Sequence, residues 1–129
     1  TDTGIALFES NNNIIRNNTL VGNKHGIRLS VGSSYNQLTN NTVDGSTGNA
    51  LYTYVGSDVP VRGDGNNRGN IWKGNSVKNS KSYVIKLAGT DGDRFESNDF
   101  RGNGPAKYDT SRATNTVFVN NLTDPGVKL

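Results

Sequence analysis

At 129 residues the chain is bounded to one domain. Its hydrophobic fraction of 31% is low for a round globule, charged residues make up 19%, and Gly accounts for 16 positions. The lack of cysteine excludes a disulfide framework and a thiolate metal site, and no stretch of these residues reads as a signal peptide or an apolar run of transmembrane length. The net charge of +3 leans toward an anionic partner, although an ordinary solvated surface accounts for it equally well.

In chain order, the first recognisable element is Gly4-Ile5-Ala6-Leu7-Phe8, whose apolar residues alternate with period two as in a strand. Next comes Asn13-Ile14-Ile15-Arg16-Asn17-Asn18-Thr19-Leu20, which reads N/D/T-x-Φ-x-x-N-x-Φ, with Φ apolar. Both elements then recur in the same order. Gly26-Ile27-Arg28-Leu29-Ser30 leads to a copy at 36–43, and Ala50-Leu51-Tyr52-Thr53-Tyr54 to one at 70–77. Val84-Ile85-Lys86-Leu87-Ala88 leads to the copy at 93–100. Lys107-Tyr108-Asp109-Thr110-Ser111 leads to a looser one at 116–122, where Leu122 stands one place early. The central residues Asn18, Asn41, Asn75, Asn98 and Asn121 are spaced by 23, 34, 23 and 23 residues. A fixed period of that size predicts a stacked repeat.

The predicted fold is all-β: a right-handed parallel β-helix of about five coils, with a 23-residue period and one 11-residue insertion. Each coil should carry two or three short strands. A solenoid tolerates the low apolar content because each coil buries a few side chains against its neighbours. Leucine-rich repeats need a denser Leu pattern, and the Asn and Gly content, with no 3.6-residue periodicity, excludes an α-solenoid. Disorder is set aside because the apolar residues hold fixed ladder positions. The five central Asn residues are expected at corners, in left-handed backbone conformation, with their amides bonding the coils above and below. The N-x-T sequons at Asn17, Asn40 and Asn121 are then by-products of the repeat.

The excess residues fall at about 55–69, a Gly/Asp/Asn-rich stretch with one Pro that reads as a loop leaving the coil. It is either a functional loop or a tolerated insertion. The whole segment 1–129 reads as part of a longer β-helix. It opens almost directly on a strand without the polar cap that terminal coils need. Ile5 and Leu7 are therefore expected at an open edge covered by preceding coils or by another chain. Residues 123–129 form a turn and tail positioned to fold over the last coil.

Chemistry is expected on the outward face of the first strand ladder. Its inward columns are Ile5, Ile27, Leu51, Ile85, Tyr108 and Leu7, Leu29, Thr53, Leu87, Thr110. One outward column is Ala6, Arg28, Tyr52, Lys86, Asp109, and the next is Phe8, Ser30, Tyr54, Ala88, Ser111. Glu9, Lys24, His25 and Asp91 lie near the column ends. Rungs about 4.8 Å apart make a basic and phenolic stripe roughly 15 Å long, the reach of a few sugar residues. Cations hold carboxylates, and Tyr offers a flat apolar face with a polar tip. The alternative is a solvated sheet face. His25, the single histidine, reads as a turn residue at the groove rim; as a general base it would need an orienting partner. Asp91-Gly92-Asp93 and Asp58 with Asp64 lack the spaced oxygen ligands of a calcium loop, so no metal site is expected.

Three stretches, Gly4-Ile5-Ala6-Leu7-Phe8-Glu9-Ser10, Asn23-Lys24-His25-Gly26-Ile27-Arg28-Leu29-Ser30 and Leu51-Tyr52-Thr53-Tyr54-Val55-Gly56-Ser57-Asp58, together resemble mannuronan (alginate) C-5 epimerases, which are right-handed parallel β-helices. The resemblance covers nearly the whole chain but only the C-terminal half of such an enzyme. It implies an extracellular or periplasmic protein whose partner is an anionic polysaccharide, alginate, with no nucleic acid, membrane or cofactor. Arg28, Tyr52, Tyr54, Lys86, Lys24, His25 and Glu9 would then line the substrate groove. The family's Asp-Pro-His-Asp-type catalytic motif is missing, since Pro60, Pro105 and Pro125 are not followed by His. No catalytic residue is therefore assigned, and the chain is expected to be inactive alone. The other readings are a non-catalytic alginate-binding module of an alginate-degrading enzyme, or a lyase using His25, Tyr52, Lys86 and Arg28.

Overall fold

The computed structural model describes residues 2–56 and 63–129. The middle of the 55–69 stretch, including Asp58 and Pro60, lies outside the described residues. The chain winds as a parallel β-solenoid of about five turns, with no helix among the described residues. Sheet A contains β1 (Thr3–Phe8), β4 (His25–Ser30), β7 (Asn49–Tyr54), β11 (Tyr83–Ala88) and β15 (Lys107–Asp109). Sheet B contains β2 (Ile14–Arg16), β5 (Gln37–Thr39), β9 (Ile71–Lys73), β13 (Arg94–Glu96) and β17 (Val117–Val119). Sheet C contains β3 (Thr19–Val21), β6 (Thr42–Asp44), β10 (Ser76–Lys78), β14 (Asp99–Phe100) and β18 (Leu122–Thr123). A short sheet D of β8 (Asn67–Arg68), β12 (Thr90–Asp91) and β16 (Ala113–Thr114) adds a fourth strand to the last three coils, one more than expected.

The repeat holds at the Asn corners but not uniformly along sheet A. Ile5 pairs with Ile27 and Ile27 with Leu51, steps of 22 and 24 that the turns absorb. The long step is also narrower than 55–69 suggested. Asn67 and Arg68 already pair with Thr90 and Asp91, so the coil has resumed by Asn67.

Three inward ladders fill the interior, which is how a chain with few apolar residues still makes a dry core. Sheet A supplies Ile27, Leu29, Leu51, Ile85 and Leu87; sheet B supplies Leu38, Trp72 and Phe95; sheet C supplies Val43, Val77 and Phe100, all buried. In-register parallel pairing places like positions directly over one another. Trp72, Phe95 and Phe118 therefore stack with ring centroids 5.3 and 5.0 Å apart. Ile5, Leu7, Ile15 and Leu20 of the first coil pack on this core while remaining half-buried. At the other end Asp124 accepts the Gly102 and Asn103 N–H groups. Val127 and Leu129 share a hollow with Phe118 of the last coil. Gly26 sits where sheet A crosses sheet C: a Cβ there would collide with the Val43 side chain and the Ala50 carbonyl oxygen.

At each corner between sheets B and C the backbone turns away from its neighbours, and the Asn ladder supplies the missing partners. The Oδ1 of Asn41 accepts the backbone N–H and the Nδ2–H of Asn18. Asn75, Asn98 and Asn121 repeat the arrangement one coil further on each time. The Nδ2 of Asn75 also donates to the Leu38 carbonyl, and that of Asn98 to the Trp72 carbonyl. A second ladder, Asn13, Asn36, Asn70 and Asp93, does the same at the corner entering sheet B.

One expectation is corrected here. The ladder residues are not left-handed; the residue before each of them is. Asn17, Asn40, Gly74, Ser97 and Asn120 have φ between 55° and 66°. The division of labour is physical: one residue makes the turn, and the next, back in an ordinary conformation, aims its amide along the solenoid axis.

Candidate functional site

Sheet A runs the expected outward column in register: Ala6 on Arg28, Arg28 on Tyr52, Tyr52 on Lys86, Lys86 on Asp109. The second column also pairs as expected from Phe8 through Ser30 and Tyr54 to Ala88. Ser30 is a correction, because it is buried and donates its hydroxyl to the Leu7 carbonyl. That column therefore presents Phe8, then Tyr54 and Ala88, with a break at Ser30.

The structure brings four of the expected site residues together. The Tyr52 and Tyr54 rings, two residues apart on β7, stack at 4.9 Å with planes 10° apart. The His25 ring lies 5.1 Å from Tyr52, and the Arg28 guanidinium carbon 6.0 Å from the centre of Tyr54. Arg28 is half-buried, its Nε has no hydrogen-bond partner, and it joins no ion pair among the described residues. Lys86 lies one rung beyond Tyr52, with its ammonium 4.5 Å from the Tyr83 ring centre and 3.9 Å from Asp109. That last contact is at the long limit of an ion pair, so Lys86 is only loosely held. Lys24 and Glu9 are exposed, at opposite ends of the strands, and form the rim.

Burial raises the pKa of Tyr52, with Tyr54 adding to the effect and Arg28 opposing it. Its phenol therefore stays a neutral hydrogen-bonding group. Burial lowers that of His25 below its ordinary value. Its Nδ1 accepts the Asn49 N–H, which protonation at that nitrogen would break. Both effects favour neutral imidazole in the folded state. The single histidine should therefore titrate below its ordinary value near 6.5. Stability linked to it should be full above about pH 6.5 and fall as pH drops through the folded pKa. An NMR titration of its ring protons reads the midpoint; a value above 6.5 would mean a carboxylate, not burial, dominates.

Sequence reasoning missed Arg112. With Tyr52, Tyr54, Val55, Gly56 and Ala88 it lines an open hollow of about 420 Å³. With Lys86, Asp109 and Ser111 it lines a neighbouring one of about 370 Å³. Arg112 follows β15 in a turn, so strand alternation carries no signal for it. Only its place after Ser111, the last member of the second column, would have pointed there.

The assembled groups are suited to holding a ligand: flat phenol faces, two guanidinium groups and an ammonium along one sheet. They are poorly suited to proton transfer. Tyr52 is shifted away from deprotonation, and one nitrogen of His25 is already engaged.

Residues 1–118 match the family described as periplasmic copper-binding protein (NosD). Comparison with curated proteins gives no match, and none is found among solved structures. Among the described residues no helix is long and apolar enough to cross a membrane. With parallel coils, a repeat close to 23 residues and a match over most of its length, the chain belongs to the NosD family of periplasmic β-helix proteins.

Proposed function

We propose that the sheet A face binds an extended anionic polysaccharide, alginate in its polymannuronate form, without transforming it. The observation that carries this reading is the register: Arg28, Tyr52 and Lys86 stand on successive rungs beside the stacked Tyr52–Tyr54 pair, and Arg28 has no acidic partner among the described residues. A cation without a partner on a half-buried sheet is set up for a carboxylate, and an adjacent aromatic face suits a pyranose ring. In a longer β-helix with its own catalytic motif, as in a mannuronan C-5 epimerase, this face would serve as a distal groove. Among the described residues it offers no acid and base pair for the opposite faces of C5.

Copper, which the family description names, is a poorer fit to this chain. It has no Cys, no Met and a single His, so the soft ligands that select Cu(I) are missing. No group of three His, Cys, Asp or Glu side chains lies close enough to hold a metal among the described residues.

Retardation of the protein in a gel containing polymannuronate tests the reading, and it should weaken with salt. Arg28→Ala should lower affinity at least about tenfold, since a charge-assisted bond contributes about 1.5–3 kcal/mol. Lys86→Ala should cost only about twofold to threefold, because its charge is already shared with Asp109. Proton NMR of the polymer should show no guluronate, and ultraviolet absorbance should show no unsaturated ends. Unchanged retardation in both variants would remove the ligand from this face.

A further inference from the structure

We infer that the trough over Ala88 is a uronate subsite in which Arg112 holds the sugar carboxylate and Tyr54 flanks the ring. This rests on the polysaccharide reading and adds to it a named position and a charge requirement. Ala88 pairs in register with Tyr54 of the coil before. The methyl group of Ala88 leaves a gap in the outward ridge where Tyr54 carries a full ring. The two hollows on this face share Ala88 and Arg112 and so form one trough.

The charges in the trough are unevenly committed. Asp109, which shares a hollow with Arg112 and feels its charge, accepts both the N–H and the hydroxyl of Ser111 and lies 3.9 Å from Lys86. Arg112 is exposed and joins no ion pair among the described residues. Its planar fork is left free for a carboxylate, which it can grip with two parallel bonds. On the other side of Tyr54 stands Arg28, which also joins no ion pair among the described residues. A neutral sugar would find the ring but give the two guanidinium groups nothing to neutralise. The trough is therefore specific for a carboxylate-bearing pyranose.

The test uses the full chain, with oligomannuronate and a neutral mannan of similar length as probes, read by calorimetry. Ala88→Ile fills the trough from its floor with a residue suited to a strand, and Arg112→Ala removes the charge. Each should weaken oligomannuronate binding about tenfold, about the worth of one charge-assisted bond, with Arg112→Lys in between. The wild type should bind the mannan at least about tenfold more weakly than oligomannuronate. Both side chains face outward, so thermal melting should match the wild type and confirm that the variants fold. Wild-type affinity in Ala88→Ile and Arg112→Ala, with Arg28→Ala still impaired, would overturn the subsite and leave the polysaccharide reading standing. Equal binding of mannan would overturn the uronate assignment. Failure of the wild type to bind either probe would overturn both.

Discussion

Asn75→Ala should lower the unfolding free energy by about 3–5 kcal/mol, the sum of several orphaned buried groups at about 1–3 kcal/mol each. Asn75 is buried at the middle of its ladder. Its Oδ1 accepts both the backbone N–H and the Nδ2–H of Asn41, and its Nδ2 donates to the Leu38 carbonyl and to Asn98. Alanine leaves two donors and the Leu38 carbonyl without partners, where water does not reach. A loss of that size is a large part of the roughly 5–15 kcal/mol that holds a domain together. Asn18→Ala, in the first coil, removes one part-buried Nδ2 bond to Asn41 and an exposed one to the Arg16 carbonyl, so it should cost only about 1 kcal/mol. Urea unfolding of both variants measures the difference. Equal losses would mean that the ladder fills space rather than satisfying the corners.

The second large effect concerns Asp93. Three earlier members of its ladder are Asn, and the departure has a local cause. The inward sheet B position of each coil holds Ile15, Leu38, Trp72, Phe95 or Phe118, and only Trp carries a donor. The Trp72 indole N–H bonds Asp93 Oδ2 at 3.2 Å, while Oδ1 takes the Asn70 N–H at 2.9 Å. An Asn at 93 would have to turn its amide N–H toward the indole. Asp93→Asn should therefore destabilise by about 1–3 kcal/mol, the cost of an orphaned buried donor. In a Trp72→Phe background the same change should be neutral or stabilising, because the donor is gone and a buried carboxylate is removed. Burial holds the Asp93 pKa above its ordinary value, opposed chiefly by the Asn70 N–H. A raised carboxylate pKa favours the folded state below the unfolded pKa near 3.8, and that contribution is lost as pH rises through the folded value. The benefit of Asp93→Asn in the Trp72→Phe background should thus grow from pH 4 toward pH 7. Strict additivity of the two changes would show that the indole does not select the carboxylate.

The parallel solenoid was legible because its evidence is positional. Asn18 and its four successors keep their spacing, and the alternation at 4–8, 26–30 and 50–54 separates the inward from the outward columns, although Ser30 is buried and Gly26, Ala50 and Val84 are buried beside the inward residues that follow them. What was not legible depends on directions that a string of letters does not carry. The turning residue is Asn17, not Asn18, since only the backbone shows which of two adjacent Asn residues turns left-handed. The role of Asn13, Asn36, Asn70 and Asp93 as a second amide ladder was equally hidden, although their positions were part of the repeat. At the site, Arg28, Tyr52 and Lys86 came out in one column because in-register pairing fixes columns. Arg112 did not, because it enters from a turn, and the tie between Lys86 and Asp109 depends on side-chain reach.

The most direct test is a titration of nitrogen-15-labelled protein with oligomannuronate, following the backbone amides. Shifts concentrated at Arg28, Tyr52, Tyr54, Lys86 and Ala88, and weakened by added salt, are the expected result. Shifts confined to sheet B or sheet C, or none at saturating sugar, would contradict it.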